Sequence, residues 1–278
     1  MRGSSLMPGW ARAPSLRRMT TFRTVTALTA GALTLGFLAG CGDISLGERR
    51  LDFDRTEAVK ITKITVSPGA GDVVVSTGAV DTVQIKRVIR YRGGQPDDTY
   101  RIDGTELRID TDCGSRCSVS YEILAPAGVA VGGENGSGDM SLSDVGDVDV
   151  KVGSGDITLA GVTGTVRAET GSGDINLRRV EKTATVRAGS GSVTGDDLGG
   201  TVEATTGSGD ITLAMRAAGS VKAQASSGSI GLTVPEGAYR LQLHSSSGTT
   251  RSDLKADPAA SHLLELETGS GDITVTPR

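Results

Sequence analysis

Histidine is nearly missing from this chain and cysteine is scarce: two His (His244, His262) and three Cys (Cys41, Cys113, Cys117) occur in 278 residues. Multi-His metal cages and Cys-rich zinc modules need more ligands than that. Aromatic residues make up only 3%, so a large enzyme core filled by rings is not expected. Long apolar runs are absent too. The longest, from about Val25 to Leu38, falls short of the roughly 20 residues a spanning helix requires. Glycine is what the chain has in plenty, at 40 residues, about twice the usual share. With 37% hydrophobic and 22% charged residues the composition is that of a folded protein whose interior is built from small side chains.

Residues 1–40 carry five Arg (Arg2, Arg12, Arg17, Arg18, Arg23) and no Asp or Glu ahead of and around that apolar run. A positive start, a short apolar stretch and small residues at the exit are the layout of a secretory signal. A start at Met19 would give a signal of 22 residues that keeps Arg23. The exit, Leu38-Ala39-Gly40-Cys41, resembles the lipobox of bacterial lipoproteins at all four positions. That resemblance implies cleavage before Cys41, acylation of its sulfur, and a chain held on the outer face of the cytoplasmic membrane by lipid, since two acyl chains anchor stably where one does not. Residues 41–55 then read as a lipid-anchored linker. Beyond residue 40 the chain has 24 Lys and Arg against 33 Asp and Glu, a net charge of −9. Such a surface does not point to nucleic acid, whose recognition begins with a basic footprint.

The rest of the chain repeats itself. Ser-Gly-(Asp/Ser/Thr) recurs with its Ser at 137, 154, 172, 190, 208, 227, 247 and 270, at spacings of 17, 18, 18, 18, 19, 20 and 23. Six and four positions before each Ser from Ser154 on stand apolar residues, as at Val148 and Val150 or Leu264 and Leu266. Three and five positions after it stand another pair, as at Ile157 and Leu159 or Ile211 and Leu213. Two units deviate: Val193 is followed by Gly195, and Thr250 with Ser252 is polar. Alternation at period two bounded by Gly and Ser is the pattern of half-buried strands. Each unit therefore holds two short strands around a Gly-Ser-Gly corner. A further apolar site at Val145, Val162, Val180 and Leu198 suggests a narrow third side.

One unit cannot bury its own apolar face, but units stacked at about 4.8 Å would place equivalent residues in ladders. The expected fold is all-β, a single-chain β-solenoid of about 18-residue coils over residues 131–278. The competing arrangement is an antiparallel meander or sandwich, which needs a second layer that no helical pattern supplies. Residues 56–130 hold less regular strands and Ala70-Gly71-Asp72-Val73, a degenerate copy of the later unit. They are expected to form a strand-rich cap, and the stretch from Arg251 to His262 a loop. Tyr121-Glu122-Ile123-Leu124-Ala125-Pro126-Ala127-Gly128, followed by repeated Gly-Ser-Gly-Asp-(Ile/Met)-x-Leu, is similar to the bacterial β-strand-repeat family labelled "putative adhesin", a domain of unknown function. The resemblance implies a surface-exposed β-solenoid and carries over no catalytic residue.

Asp139, Asp156, Asp174, Asp210 and Asp272 share one slot of the repeat. Stacked carboxylates repel unless solvent, backbone donors or a cation such as calcium satisfies them. Ser or Thr replaces Asp at Ser192, Ser229 and Thr249, which favours turn capping by a side-chain oxygen over a calcium ladder. No cofactor is implied. Cys113 and Cys117 bracket Gly-Ser-Arg in an exported chain and are expected to form a disulfide. The basic cluster Lys86, Arg87, Arg90 and Arg92 could contact an anionic polymer or headgroup surface, against the plainer reading of a solvated strand face.

The function expected is a non-enzymatic envelope lipoprotein whose rigid solenoid serves adhesion or scaffolding, with a cell-wall polymer or an envelope protein as partner. A second reading is an envelope-sensing accessory protein contacting a membrane signalling partner through a patch near Phe53, Tyr91 and Tyr100. A third is a carbohydrate-active β-helix enzyme, which would need two carboxyl groups at a defined separation.

Overall fold

The computed structural model describes residues 47–278. The expected signal segment, Met19, Cys41 and the first part of the expected linker lie outside the described residues. The cap region contains β1 (Arg49–Glu57), β2 (Lys63–Ser67), β3 (Val73–Gly78), β4 (Val83–Tyr91), β5 (Tyr100–Asp103), β6 (Glu106–Asp110) and β7 (Cys117–Pro126). The regular repeats follow as β8 (Ala130–Ser137), β9 (Met140–Ser143), β10 (Val148–Ser154), β11 (Ile157–Val162), β12 (Val166–Ser172) and β13 (Ile175–Val180). They continue as β14 (Ala184–Ser190), β15 (Val193–Leu198), β16 (Val202–Ser208), β17 (Ile211–Met215), β18 (Val221–Ser227) and β19 (Ile230–Val234). The chain then forms β20 (Arg240–Ser245), β21 (Thr250–Ser252), β22 (Leu263–Thr268) and β23 (Ile273–Pro277).

Two long sheets result, one of 12 strands and one of 11, and within the repeats the pairings are parallel and in register apart from a shift between Gly195 and Leu198 where β15 meets β17. Ile157 stacks on Ile175 and Leu159 on Leu177, while in the other sheet Val148 stacks on Val166 and Val150 on Ala168. These inward rows are buried up to the terminal rung, where Leu241 and Leu243 are partly buried and Thr250 is exposed, and each fully buried Val, Ile or Leu contributes roughly 1.5–3 kcal/mol. Parallel pairing between successive units is the solenoid; an antiparallel meander would pair the two strands of one unit. The further apolar site makes no third sheet. Val162, Val180 and Leu198 end strands of the 12-stranded sheet, and Arg179 and Asp197 immediately before two of them take left-handed φ of 54° and 58°.

The corner between paired strands explains the Gly-Ser-Gly repeat. Gly155 has φ of 142°, and a Cβ there would overlap the carbonyl oxygen of Gly138 in the rung beneath. Only glycine meets both demands. Inside the corner, Thr170, Thr206 and Thr268 are buried and donate their hydroxyls to the carbonyls of Gly155, Gly191 and Gly228 at 2.9, 2.7 and 2.8 Å. Those inward polar residues are thereby satisfied.

Both irregular units have a physical cause. Gly195 is buried where its neighbours carry Leu177 and Leu213, because Leu198 folds into the vacated space: a Cβ on Gly195 would stand 2.7 Å from Leu198 Cδ1. Thr250 and Ser252 are polar because β21 is the outer edge of its sheet. The chain does not end on its outermost rung. β22 and β23 insert between β18–β19 and β20–β21, so the last strands in sequence are interior and the unit before them is terminal.

The same exchange occurs at the other end. β2 and β3 stack directly on β8 and β9, and β6 and β7 stack outside them. The solenoid sheets therefore run through residues 56–130 instead of beginning at 131. What caps them is the antiparallel trio β7, β4 and β1 on one sheet and the β5–β6 hairpin on the other. Residues 253–262 cross from β21 to β22 as a loop, with Leu254 packed on the core.

Candidate binding surfaces

The corner aspartates form a relay along the stack. Asp72 Oδ1 accepts the N–H of Asp139 at 3.1 Å, Asp139 that of Asp156 at 2.9 Å, Asp156 that of Asp174 at 2.8 Å and Asp174 that of Ser192 at 2.8 Å. Ser192 Oγ continues it to Asp210, Asp210 to Ser229, Ser229 Oγ to Asp272 and Asp272 to Thr249. A carboxylate or a hydroxyl oxygen serves equally as the acceptor, which accounts for the exchange of Asp for Ser along the ladder. Asp272 also accepts the Thr249 hydroxyl, and these two bonds hold its carboxyl below the usual carboxylate range. Among the described residues no group of three or more His, Cys, Asp or Glu is arranged to hold a metal ion.

The two broad faces differ. Outward on the 12-stranded sheet, register aligns Ser141, Thr158, Asn176, Thr194, Thr212, Gly231 and Thr274 in one row. The 11-stranded sheet carries alternating charge instead: Glu169 faces Arg167 and Arg187 at 3.3 and 3.5 Å, Arg187 reaches Glu203 at 3.3 Å, and Lys222 meets Glu265 at 2.9 Å. Along the second corner Arg216 passes over Gly199 of the neighbouring rung to Glu181, two rungs away, at 2.9 Å. Both exposed faces are rigid, and the 12-stranded one presents a row of short uncharged side chains, with Arg178 and Asp196 in the next outward row and Arg251 at its edge.

The pattern is that of a known family. Residues 129–276, just over half of the chain, match the Toastrack DUF4097 family model. The chain belongs to this family. Its domain is one of unknown function, so membership gives the architecture and assigns no site. Among solved structures, this family member is similar to a "putative adhesin" from Bacteroides fragilis, with 16% identity over 82% of this chain and 97% of that one and a TM-score of 0.43. It is also similar to a "putative cell adhesion protein" from Clostridium sporogenes, with 12% identity over 84% of this chain and 100% of that one and a TM-score of 0.32. No functionally curated protein matches.

The basic cluster is divided by the fold. Alternation on β4 turns Arg87 inward, where it is buried between the rings of Phe53 and Tyr100, 4.4 and 5.1 Å from their centroids. Its Nη1 donates to Thr99 Oγ1 at 2.8 Å, Asp98 lies 3.7 Å from its Nη2, and its Nε has no partner. Cation–π contact in a desolvated site compensates that burial. Arg87 is therefore part of the cap core and no polymer contact. Tyr91 is buried in the same core, while Phe53 and Tyr100 pack against it and stay partly exposed, so the aromatic patch considered for a signalling partner reaches the surface through Phe53 and Tyr100 alone. Tyr121 closes the cluster by donating to Thr99, and burial raises its hydroxyl to a pKa of about 12.

Lys86 points outward and pairs with Glu122 at 3.1 Å. Arg90 and Arg92 are exposed, and Arg92 lies beside residues that the sequence does not place near it: Arg49 and Arg116 line the same concavity of about 540 Å3. Those two were missed because pairing of β1, β4 and β7 alone brings the three together. Cys113 and Cys117 are joined by a disulfide with their Cα atoms 5.4 Å apart, closing the turn that carries Arg116.

Proposed function

We propose that this protein is a non-enzymatic envelope lipoprotein, anchored through Cys41, whose solenoid binds an extended hydroxyl-rich polymer of the cell wall. The observation that carries this reading is the row of short polar side chains on the 12-stranded sheet, repeated at strand spacing on a backbone fixed by hydrogen bonds on both sides. Hydroxyl and amide groups both donate and accept, so every rung but that of Gly231 offers side-chain bonding of the same kind to successive units of a polymer. Short side chains lose little rotamer freedom on binding. The corner aspartates serve as backbone acceptors, and this speaks for scaffold over catalysis.

The test is co-sedimentation of the soluble solenoid with isolated cell walls of its own organism, with calcium and then with chelator. Saturable binding that survives chelation is expected, together with its loss in T158E/T194E/T212E. Binding that disappears on chelation would return the Asp ladder to consideration as a calcium site. No binding in either condition would sink wall adhesion and favour a protein partner at the membrane.

A further inference from the structure

Arg49 begins β1, Arg92 follows the end of β4, and Arg116 precedes β7. Antiparallel pairing puts these three termini at one end of the cap, with Arg49 opposite Tyr91, Tyr91 opposite Cys117, and the N–H of Arg92 donating to the carbonyl of Arg116 at 3.2 Å. All three side chains are exposed, and they line one concavity with Gly47, Glu48 and Gly93. No ion pair among the described residues engages them, whereas their neighbours Arg50 and Lys86 are spent on Asp52 and Glu122. Arg116 has a left-handed φ of 62°, a conformation disfavoured for a side chain of its type. The disulfide beneath it and the bond from Gly114 N–H to Asp112 Oδ1 at 2.8 Å close the turn around it.

We propose that Arg49, Arg92 and Arg116 form a phosphate-binding surface that seats this end of the solenoid on anionic phospholipid headgroups, and that the Cys113–Cys117 disulfide holds Arg116 in it. The proposal rests on the reading of Cys41 as the lipid anchor. Gly47 lies six positions after Cys41, and a segment of that length reaches about 22 Å at most. An acylated Cys41 therefore tethers the three guanidinium groups within reach of the headgroup layer, and their field acts once they dock within a Debye length, about 8 Å, of it. The remainder of the molecule is repelled by the same surface, since residues 131–278 hold 12 basic against 19 acidic residues. Attraction at the cap and repulsion along the repeats together hold the stack away from the bilayer.

Residues 47–278 contain both sheets and the whole buried core, so the soluble unit starting at Gly47 is the form to test. It lacks Cys41, which separates this inference from lipidation; acylation is read independently from the mass of the N-terminal peptide of the full chain. The soluble unit is expected to pellet with phosphatidylglycerol-containing vesicles in a salt-sensitive manner and not with pure phosphatidylcholine. At about fivefold per arginine, R49Q/R92Q/R116Q should lower that affinity about 100-fold, while R178Q/R240Q/K255Q, with the same change in net charge, should not. C113S/C117S should give an intermediate loss with an unchanged melting curve for the repeats. Equal binding to both vesicle types, equal loss in the two triple variants, or binding to isolated wall polymer that is lost in R49Q/R92Q/R116Q while vesicle binding is kept would overturn the membrane assignment. Unchanged binding in C113S/C117S would overturn the role of the disulfide.

Discussion

Asp272 accepts both the backbone N–H and the hydroxyl of Thr249 at 2.8 Å, although Thr249 precedes it by 23 residues. Everywhere else in the repeats the corner oxygen receives an N–H from later in the chain. The reversed direction marks the place where β22–β23 slips beneath β20–β21. D272A should therefore lower hydrogen-exchange protection at Thr249 and along β21 while leaving β10 to β17 protected. Uniform loss across the stack would contradict that local role.

The same carboxylate gives a pH dependence with a defined sign. Asp272 and Asp147 are both held below their ordinary range by bonds from the residue one rung on, Thr249 and Thr165. A folded-state value below the unfolded one means that the stabilisation is complete above the unfolded value, about 3.9, and is lost as pH falls toward the folded value. Acid melting of D272N/D147N should consequently be flatter below about pH 4 than that of the parent chain. Parallel acid profiles would remove these two groups as its source.

Tyr121 predicts the alkaline limit. Its pKa is raised to about 12, chiefly by burial, so the neutral ring stabilises the cap fully below its unfolded value near 10, and that stabilisation is lost as pH rises through about 12. Absorbance titration should show one tyrosine ionising together with loss of the cap. Y121F should remove that step.

Two glycines should respond in opposite directions. Gly191 has φ of 137°, and a Cβ there would overlap the carbonyl of Gly173, so G191A should destabilise by about 1–3 kcal/mol. Gly231 lies within β19 and a Cβ there would meet nothing within 4 Å. G231A should leave stability unchanged or raise it by up to about 1 kcal/mol. Urea melts of the pair decide it, and equal effects would mean that the corner adapts more than its contacts allow.

The repeating part was legible because one residue type is forced at each point: glycine where a rung leaves no room for Cβ, Val, Ile or Leu where a row faces inward. The pairs Val148 with Val150 and Ile157 with Leu159 are buried as their alternation indicates. The cap was less legible. Arg87 looks like one of four exposed cations in sequence, yet alternation along β4 turns it inward onto Phe53, a residue 34 positions away. The assembly of Arg49, Arg92 and Arg116 follows from strand order, which no local signal encodes. The exchanged rungs left one trace, the polar pair Thr250 and Ser252 in a unit otherwise apolar, whose meaning depends on knowing which strand is the edge.

That exchange bears on how the molecule is completed. β20 pairs only with β22 and β21 only with β23, so residues 240–252 have no place to dock until residues 263–277 have arrived. In a chain emerging N-terminus first, the terminal rung waits, and the later segment acts as a keystone set before the stone above it. A molecule interrupted between the two would display β18 and β19 as bare edges with a loose, mostly polar strand pair hanging from them. Closure of the stack thus waits on residues 263–277, and a chain stopped short of them leaves the inward rows of β18 and β19 without the rung that covers them.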